Sequence, residues 1–199
     1  MLIRKGKTAI LLTLLLVLCA PLLPAQDEEA GSVAIYSAGQ VSLSLNAGMF
    51  IPLFLQSFQG DYSEPNLKLG GLGSLMVGMH LDNNWFLGAE VSGMFAKDIR
   101  ENLMLMVPIT LKGAYFFHFF PFEIPVYLGA GMNLMKLAEQ RQIDFILKPG
   151  FSSYWKYSSA WAFGLNFVYW LDFQPWKEDP DKARMGNFLE ISLSAKYTW

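Results

Sequence analysis

The sequence is poor in the residue types from which most metal and catalytic sites are built. It has 199 residues with one cysteine and two histidines, and 16% of the residues are charged, against roughly 25% in an ordinary globular protein. No metal site of clustered histidines is therefore expected, and no Gly-x-Ser-x-Gly, Walker loop or His-Glu-x-x-His motif occurs. Because 53% of the residues are hydrophobic, the composition indicates a chain that turns apolar surface toward something other than water.

Positive charge at the amino terminus indicates export. Arg4, Lys5 and Lys7 precede the uninterrupted apolar run Ala9–Leu18, and Leu23-Pro24-Ala25 follows before an acidic stretch. This order is typical of a secretory signal peptide. We therefore expect residues 1–25 to be removed and residues 26–38 to form a periplasmic N-terminal lead. An uncleaved anchor is the alternative, but the apolar run is short for a membrane span.

The single cysteine, Cys19, belongs to this exported segment. Leu16–Cys19 partly resembles a lipobox, but Leu18 stands where glycine, alanine or serine is required, which disfavours lipidation. Cleavage after Ala25 leaves no cysteine and hence no disulfide, which is compatible with the oxidising periplasm. Loss of the basic start leaves the chain more acidic than its formal net charge of −2, so no nucleic-acid partner is expected.

Alternation of apolar and polar residues dominates the remaining sequence. It is clearest in Val41–Ile51 and Asn187–Trp199, where every second residue is apolar, as in a strand with two unlike faces. Leu103–Phe117 resembles a membrane helix by hydropathy, but Pro108 and Lys112 interrupt it and its apolar residues keep period two. Eight such strands predict an all-β fold over residues 39–199: a closed, antiparallel, up-and-down transmembrane β-barrel.

The predicted connections alternate between long and short. The long ones are Pro52–Lys68, Ala96–Asn102, Lys136–Asp144 and Asp172–Gly186. Outer-membrane barrels place long loops outside the cell and short turns in the periplasm, so we expect this orientation here. Glu178, Asp179 and Asp181 in the last loop lack the ordered spacing of a calcium site, and a solvated loop is the expected interpretation.

The two predicted faces of the barrel carry different residues. Aromatic residues near strand ends predict an interface girdle of Trp85, Tyr115, Phe117, Trp155, Trp161 and Tyr169. The inward face is mostly small and polar, with five charged residues: Glu90, Lys112, Lys148, Glu190 and Lys196. A buried charge is costly unless paired. We therefore expect Glu90 to pair with Lys112, and Lys148 with Glu190, in a network that blocks a water channel. In the alternative, each charge contacts lumen water.

The last strand resembles the assembly signal of bacterial outer-membrane β-barrels. It closes on Trp199, with Tyr197 two residues earlier and apolar residues such as Leu193 at alternate positions before it. In addition, Val107–Leu111 running into Tyr115–Phe117, followed by Val126–Ala130 and Gly131, is similar to the fourth and fifth strands of the small eight-stranded group. That group includes opacity-type, OmpW-like and OmpA transmembrane-domain-like proteins. The resemblance implies an outer-membrane location, contact with outer-membrane lipid, and recognition by the barrel-assembly machinery and periplasmic chaperones.

Two classes of function remain, and neither requires a cofactor. The first is a monomeric, non-enzymatic barrel with a structural or adhesive role, whose long loops meet a host or envelope partner. The second, implied by the OmpW-like resemblance, is a narrow channel or a conduit for hydrophobic small molecules. A lipid-modifying barrel enzyme is a third, disfavoured class. Such enzymes place histidine beside serine or an acid at the outer rim, whereas His80 and His118 fall near turns.

Overall fold

The structure is a computed structural model that describes residues 35–137, 140–174 and 183–199, with the backbone alone for residues 137, 140 and 141. The predicted signal peptide, Cys19, most of the N-terminal lead and the acidic group Glu178, Asp179 and Asp181 lie outside these ranges. The strands are β1 (Val41–Ser57), β2 (Tyr62–Ser63), β3 (Gly70–His80), β4 (Trp85–Lys97), β5 (Leu103–Phe119), β6 (Phe122–Leu137), β7 (Gln140–Lys156), β8 (Trp161–Gln174) and β9 (Arg184–Thr198).

The eight long strands form a closed antiparallel barrel. Each pairs with its neighbour along the chain, β1 pairs with both β3 and β9, and the short β2 adds to the far end of β1. The predicted fold class is confirmed. Residues 81–84, 120–121 and 157–160 connect strands at one end of the barrel, called the turn end below. The opposite end, where residues 58–69 and 98–102 lie, is called the loop end.

The seam between β1 and β9 includes the last residue of the chain. Trp199 donates its backbone N–H to the Val41 carbonyl oxygen at 3.0 Å, and Val41 donates back to Trp199 at 3.3 Å. Further along the seam, Gly48 stands opposite Ser192, where a Cβ would collide with the Ile191 carbonyl oxygen. Glycine at this position therefore permits the close approach of the two strands that close the barrel.

Alternating burial separates a lumen face from an outer face. Along β4 every second residue is buried: Glu90 is 3% exposed, whereas Leu87 and Val91 on the outer face are 53% and 49% exposed. β5 shows the same alternation over most of its length, so the stretch that resembles a membrane helix is a strand. No helix within the described ranges is long and apolar enough to cross a membrane.

One predicted loop is wrong, and the other three begin later than predicted. Lys136–Asp144 is largely strand, because β6 continues to Leu137, β7 starts at Gln140, and Asn133 pairs with Asp144. At the end of this stretch burial alternates as in a strand, with Asp144 buried and Ile143 64% exposed. β1 likewise extends through Pro52–Ser57 and β4 through Lys97. β8 and β9 include Asp172–Gln174 and Arg184–Gly186. Residues 175–182 of the last predicted loop lie outside the residues that the structure describes.

Candidate functional site in the barrel lumen

A charged cluster crosses the middle of the lumen. Its members are Glu90 from β4, Lys112 from β5, Lys148 from β7 and Glu190 from β9, and none is more than 4% exposed. Lys112 and Lys148 donate to the two carboxylate oxygens of Glu90, and Lys148 Nζ lies 3.6 Å from Glu190 Oε2. Both expected pairs therefore lie in contact, and Lys148 connects them. With two acids and two lysines, the cluster is formally neutral.

Aromatic side chains also contact the residues of this charged cluster. Trp170 Nε1 donates to Glu190 Oε2 at 2.9 Å, while Lys148 Nζ lies 4.3 Å from the centre of the same indole. Lys112 Nζ similarly lies 4.3 Å from the centre of the Tyr127 ring. Each lysine thus combines a carboxylate with a cation–π contact, an arrangement that compensates for part of the hydration that a buried ammonium loses.

Lys196 belongs to a second cluster at the turn end. Its Nζ donates to Glu123 Oε2 at 2.9 Å and to the Tyr36 hydroxyl at 2.8 Å, and that hydroxyl donates to Glu123 Oε2 at 2.7 Å. Lys156 Nζ lies 3.3 Å from the other oxygen of Glu123. Sequence reasoning missed both partners: Tyr36 falls in the predicted lead, and Glu123 is not among the predicted inward charges. The alternation that follows Phe122 is the one local signal that places Glu123 inside the barrel.

Tyr36 closes the turn end of the lumen from within. Asn83 Oδ1 accepts the backbone N–H groups of Ile35 and Tyr36 at 2.7 and 3.1 Å, which fixes this segment against the turn between β3 and β4. The Tyr36 ring stacks on the His80 imidazole, with ring centres 3.7 Å apart and planes 11° apart. Because Tyr36 is only 3% exposed, the end of the predicted lead acts as part of the barrel core.

A third cluster lies toward the loop end, where Asn133, Asp144 and Asp172 project into the lumen from β6, β7 and β8. Asn133 donates to Asp172 at 3.1 Å. Gln142 donates to Asp144 at 2.6 Å and Gln174 to Asp172 at 3.0 Å. None of the ion pairs found among the described residues includes either aspartate. Sequence reasoning missed this cluster because it assigned both aspartates to loops.

Apolar side chains fill part of the lumen beside these polar clusters. Phe50 and Phe188 pack with ring centres 4.8 Å apart, and Phe50 packs on Trp170 at 5.4 Å. Next to the charged cluster, a cavity of about 20 Å³ is lined by residues that include Glu90, Lys112 and Tyr127. This volume accommodates on the order of one water molecule.

A serine and a histidine meet in the lumen, and no third side chain among the described residues orients the histidine. Ser42 Oγ lies 3.4 Å from His80 Nε2 and 2.8 Å from Thr198 Oγ1. No described residue hydrogen-bonds to the buried His80 Nδ1, whereas a catalytic base is normally oriented by such a partner. His118 is separate and contacts the Asn83 carbonyl oxygen at 2.7 Å. The described residues also contain no group of three or more His, Cys, Asp or Glu that could hold a metal.

The outer wall carries aromatic residues toward both ends of the strands. At the turn end the ring centres of Trp85 and Tyr115 are 5.2 Å apart, and those of Trp161 and Tyr197 are 4.9 Å apart. Phe117, Trp155 and Trp199 lie at the same end. Tyr169 of the predicted girdle lies further toward the loop end, where its hydroxyl donates to Asn187 Oδ1 at 2.8 Å.

Solved structures of small barrels match this architecture. Neisserial surface protein A matches with a TM-score of 0.55 and 11% identity over 80% of this chain and 97% of that chain. OprG, an outer membrane protein of Pseudomonas aeruginosa, gives 0.54 and 11% over 84% and 99%. Ail, the attachment invasion locus protein of Yersinia pestis, gives 0.50 and 12% over 81% and 99%. The chain therefore shares the eight-stranded barrel fold of these outer-membrane proteins.

Comparisons with known sequences also match most of this chain. A protein-family model matches residues 25–197. An uncharacterized protein of Borreliella burgdorferi is 28% identical over 175 residues, which cover 77% of this chain and 80% of that protein. The apolar outer face and the closed fold together place the protein in the outer membrane, because a closed barrel leaves no unpaired strand edge in lipid.

Proposed function

We propose that this outer-membrane barrel is a non-conducting, non-enzymatic scaffold that presents its loop end to a partner outside the cell. The observation that carries the proposal is the occupied lumen. Glu90, Lys112, Lys148 and Glu190 join four strands across its middle through contacts between buried charges. An ion that passed through would have to displace ion pairs held in a poorly hydrated interior, which is strongly unfavourable.

Contacts on either side of the charged cluster support the same interpretation. At the turn end, the Tyr36 ring and hydroxyl fill the lumen between His80, Glu123 and Lys196. Toward the loop end, Phe50 packs edge to face on Trp170 and at a tilt on Phe188. A permeating solute would therefore meet three successive barriers of different chemistry.

The loop end offers a structured surface for a partner. Residues 58–69 and 98–102, called the loop platform below, are joined by backbone hydrogen bonds from Lys68 to Lys97 at 2.8 Å and from Ile99 to Asn66 at 3.1 Å. Hydrogen bonds from Lys68 and Lys97 lower the pKa of the exposed Glu101 carboxyl below its usual value. These contacts restrain the platform, and a restrained surface loses less entropy when it binds.

Apolar side chains on the loop platform are well exposed. Phe58, Tyr62, Leu69 and Ile99 are each more than 60% exposed: 65%, 68%, 61% and 66%. Aromatic and aliphatic residues on an ordered surface are typical of protein-binding sites. One structural neighbour is by its name an attachment invasion protein, which favours an adhesive role over a purely structural one.

Bilayer recordings and binding measurements test the proposal together. Refolded wild-type protein in planar bilayers should show no steady conductance. Labelled protein in nanodiscs should bind host cells or envelope fractions, and Phe58→Ser with Ile99→Ser should weaken this binding at least tenfold. A matched control, Ser158→Ala in a turn at the other end, should bind as the wild type does. A steady large conductance in the wild type would refute the scaffold and favour a channel.

A conduit for hydrophobic molecules is the second candidate, and a groove on the outer wall favours it. This groove, of about 820 Å³, crosses β1, β9, β8 and β7 and is lined in part by small residues, Ala47, Ser153 and Ala195, beside Trp155 and Leu193. A hydrophobic solute could lie there without entering the lumen. Ala195→Trp would fill the groove, so uptake of such solutes by cells should fall in this variant if the conduit operates. Unchanged uptake would exclude it.

A further inference from the structure

Three oxygen-bearing side chains meet in the third lumen cluster. Asn133 stands directly opposite Asp144 across β6 and β7, and Asp172 on β8 stands opposite Ile146, two residues from Asp144. Directly opposite side chains on adjacent strands have Cβ atoms about 4.5–5.5 Å apart, and diagonal neighbours such as Asp144 and Asp172 lie about 7–8 Å apart, close enough to share one ligand. Asn133 and Asp172 are fully buried and Asp144 is 2% exposed. The two carboxylates therefore share one small region shielded from solvent.

Among the described residues, no lysine or arginine contacts the two aspartates of this cluster, whereas the other carboxylates in the lumen contact lysines. Glu90, Glu190 and Glu123 each contact at least one lysine. For Asp144 and Asp172, the hydrogen bonds found within the described residues come from neutral amides. Lys148, the nearest inward lysine along β7, contacts Glu90 and Glu190 instead. Two adjacent buried carboxylates without a cation repel each other and are costly to bury.

Unpartnered acceptor atoms provide a second observation at the same place. Within the described part of the chain, the buried Asn133 Oδ1 and Asp144 Oδ2 have no hydrogen-bond partner. The Asn133 amide lies against Asp172, to which its nitrogen donates at 3.1 Å. Buried polar atoms in folded proteins are nearly always satisfied. An unpartnered acceptor oxygen beside two carboxylates points to a cation as the ligand.

The ligand set fits calcium. We propose that the loop end of the lumen binds one Ca²⁺ between Asp144 and Asp172, with Asn133 Oδ1 as a neutral ligand. Two carboxylates match the charge of a divalent ion, and calcium accepts carboxylate and amide oxygens in flexible numbers, whereas magnesium requires a nearly octahedral set and retains water. Gln142 and Gln174 hydrogen-bond the two aspartates and remain partly exposed. Rotation of their amides would supply further oxygens and open a path for the ion.

The test uses the full refolded chain in detergent free of lipopolysaccharide, which itself binds calcium. Calorimetric titration with calcium chloride should give one site per chain with a dissociation constant of about 0.1–1 mM, the range of extracellular calcium modules. The unfolding temperature should rise steadily with the logarithm of free calcium once the site begins to fill. An equal response to magnesium would overturn the assignment to calcium.

Single substitutions should change calcium binding and the unfolding temperature in EDTA in opposite directions. Asp144→Asn and Asp172→Asn should abolish the calcium response, and in EDTA each should unfold at a higher temperature than the wild type because the repulsion between carboxylates is removed. Asn133→Asp should bind calcium at least tenfold more tightly but unfold at a lower temperature in EDTA. Glu64→Gln, at an exposed loop carboxylate, should match the wild type throughout.

Two results would overturn the calcium site. One is a wild-type unfolding temperature that does not depend on calcium. The other is a calcium response retained in Asp144→Asn and Asp172→Asn, which would assign it to other acidic groups of the chain. If either aspartate variant fails to refold, Asn133→Asp still decides, because an unchanged affinity in this variant places the ion elsewhere. None of these outcomes depends on whether the barrel conducts or binds a partner.

Discussion

Glu90 connects the charged cluster, because Lys112 and Lys148 both donate to its carboxylate. Glu90→Ala would leave Lys112 without an acidic partner and Lys148 with Glu190 alone, at 3.6 Å. We therefore expect the free energy of unfolding to fall by about 3–5 kcal/mol, the usual cost of an uncompensated buried charge. Reversible urea unfolding in detergent or lipid vesicles measures the change.

A matched substitution and a double-mutant cycle control this prediction. Glu101→Ala removes an acid that also contacts two lysines but is largely exposed, so it should change stability little. In the cycle, Glu90→Gln and Lys112→Met should each destabilise the barrel, and together they should cost much less than the sum. Additive effects would show that the two residues do not stabilise each other.

Two substitutions of Tyr36 distinguish the contribution of its ring from that of its hydroxyl. Tyr36→Phe removes the hydrogen bonds to Glu123 and Lys196 and should cost about 1.5–3 kcal/mol, as expected for hydrogen bonds to charged groups. It keeps the ring that covers His80. Tyr36→Ala should remove this cover, so diethylpyrocarbonate should modify His80 in Tyr36→Ala but not in Tyr36→Phe. Equal modification of His80 in both variants and the wild type would contradict the role of the ring.

At the scale of the element, β9 has two separable properties. Its backbone closes the barrel, because Trp199 exchanges hydrogen bonds with Val41. Its outward side chains, Leu193, Tyr197 and Trp199, form the predicted assembly signal. Trp199→Asp keeps the backbone contacts, so it should reduce assembly in cells far more than refolding in detergent. Heat-modifiable migration in gels reports folding in both settings, and an equal loss in the two would argue against a recognition signal.

The ends of strands were harder to predict from sequence than their centres. Asp144 and Asp172 lie among charged and amide residues that indicate a loop, although the period of two continues through Ile143 and Phe145. In a barrel that encloses polar side chains, a polar rim residue belongs to a strand as readily as to a loop. The alternation, rather than the polarity, carried the correct information there.

Contacts across the lumen also differ in how far sequence predicts them. Glu90 and Lys112 lie on adjacent strands, so their pairing follows from register. Lys148 reaches Glu90 from β7, which does not neighbour β4, and this contact depends on the diameter of the closed barrel. Tyr36 is harder still, because Glu123 and Lys196 on β6 and β9, together with His80 on β3, form its pocket only after the barrel closes.

At the scale of the whole molecule, the two ends of the barrel differ in length and chemistry. The turns at residues 81–84, 120–121 and 157–160 are short, whereas residues 58–69 form a longer loop that includes β2. The turn end carries the Trp85, Trp161 and Trp199 side chains, each more than 40% exposed at 52%, 42% and 58%. From this asymmetry we expect the turn end to lie in the periplasm.

Antibody access on intact cells tests this orientation. Epitope tags inserted between Gln59 and Gly60, or between Arg100 and Glu101, should be detected on living cells, because the loop platform faces outward in this topology. Tags inserted between Asn83 and Asn84, or between Ser158 and Ser159, should be detected only after the outer membrane is permeabilised. Heat-modifiable migration of each tagged protein would establish that it has folded, so that a negative result reflects location. Labelling of the two turns on intact cells, with the loops protected, would invert the topology and would place the calcium site and the proposed binding surface toward the periplasm.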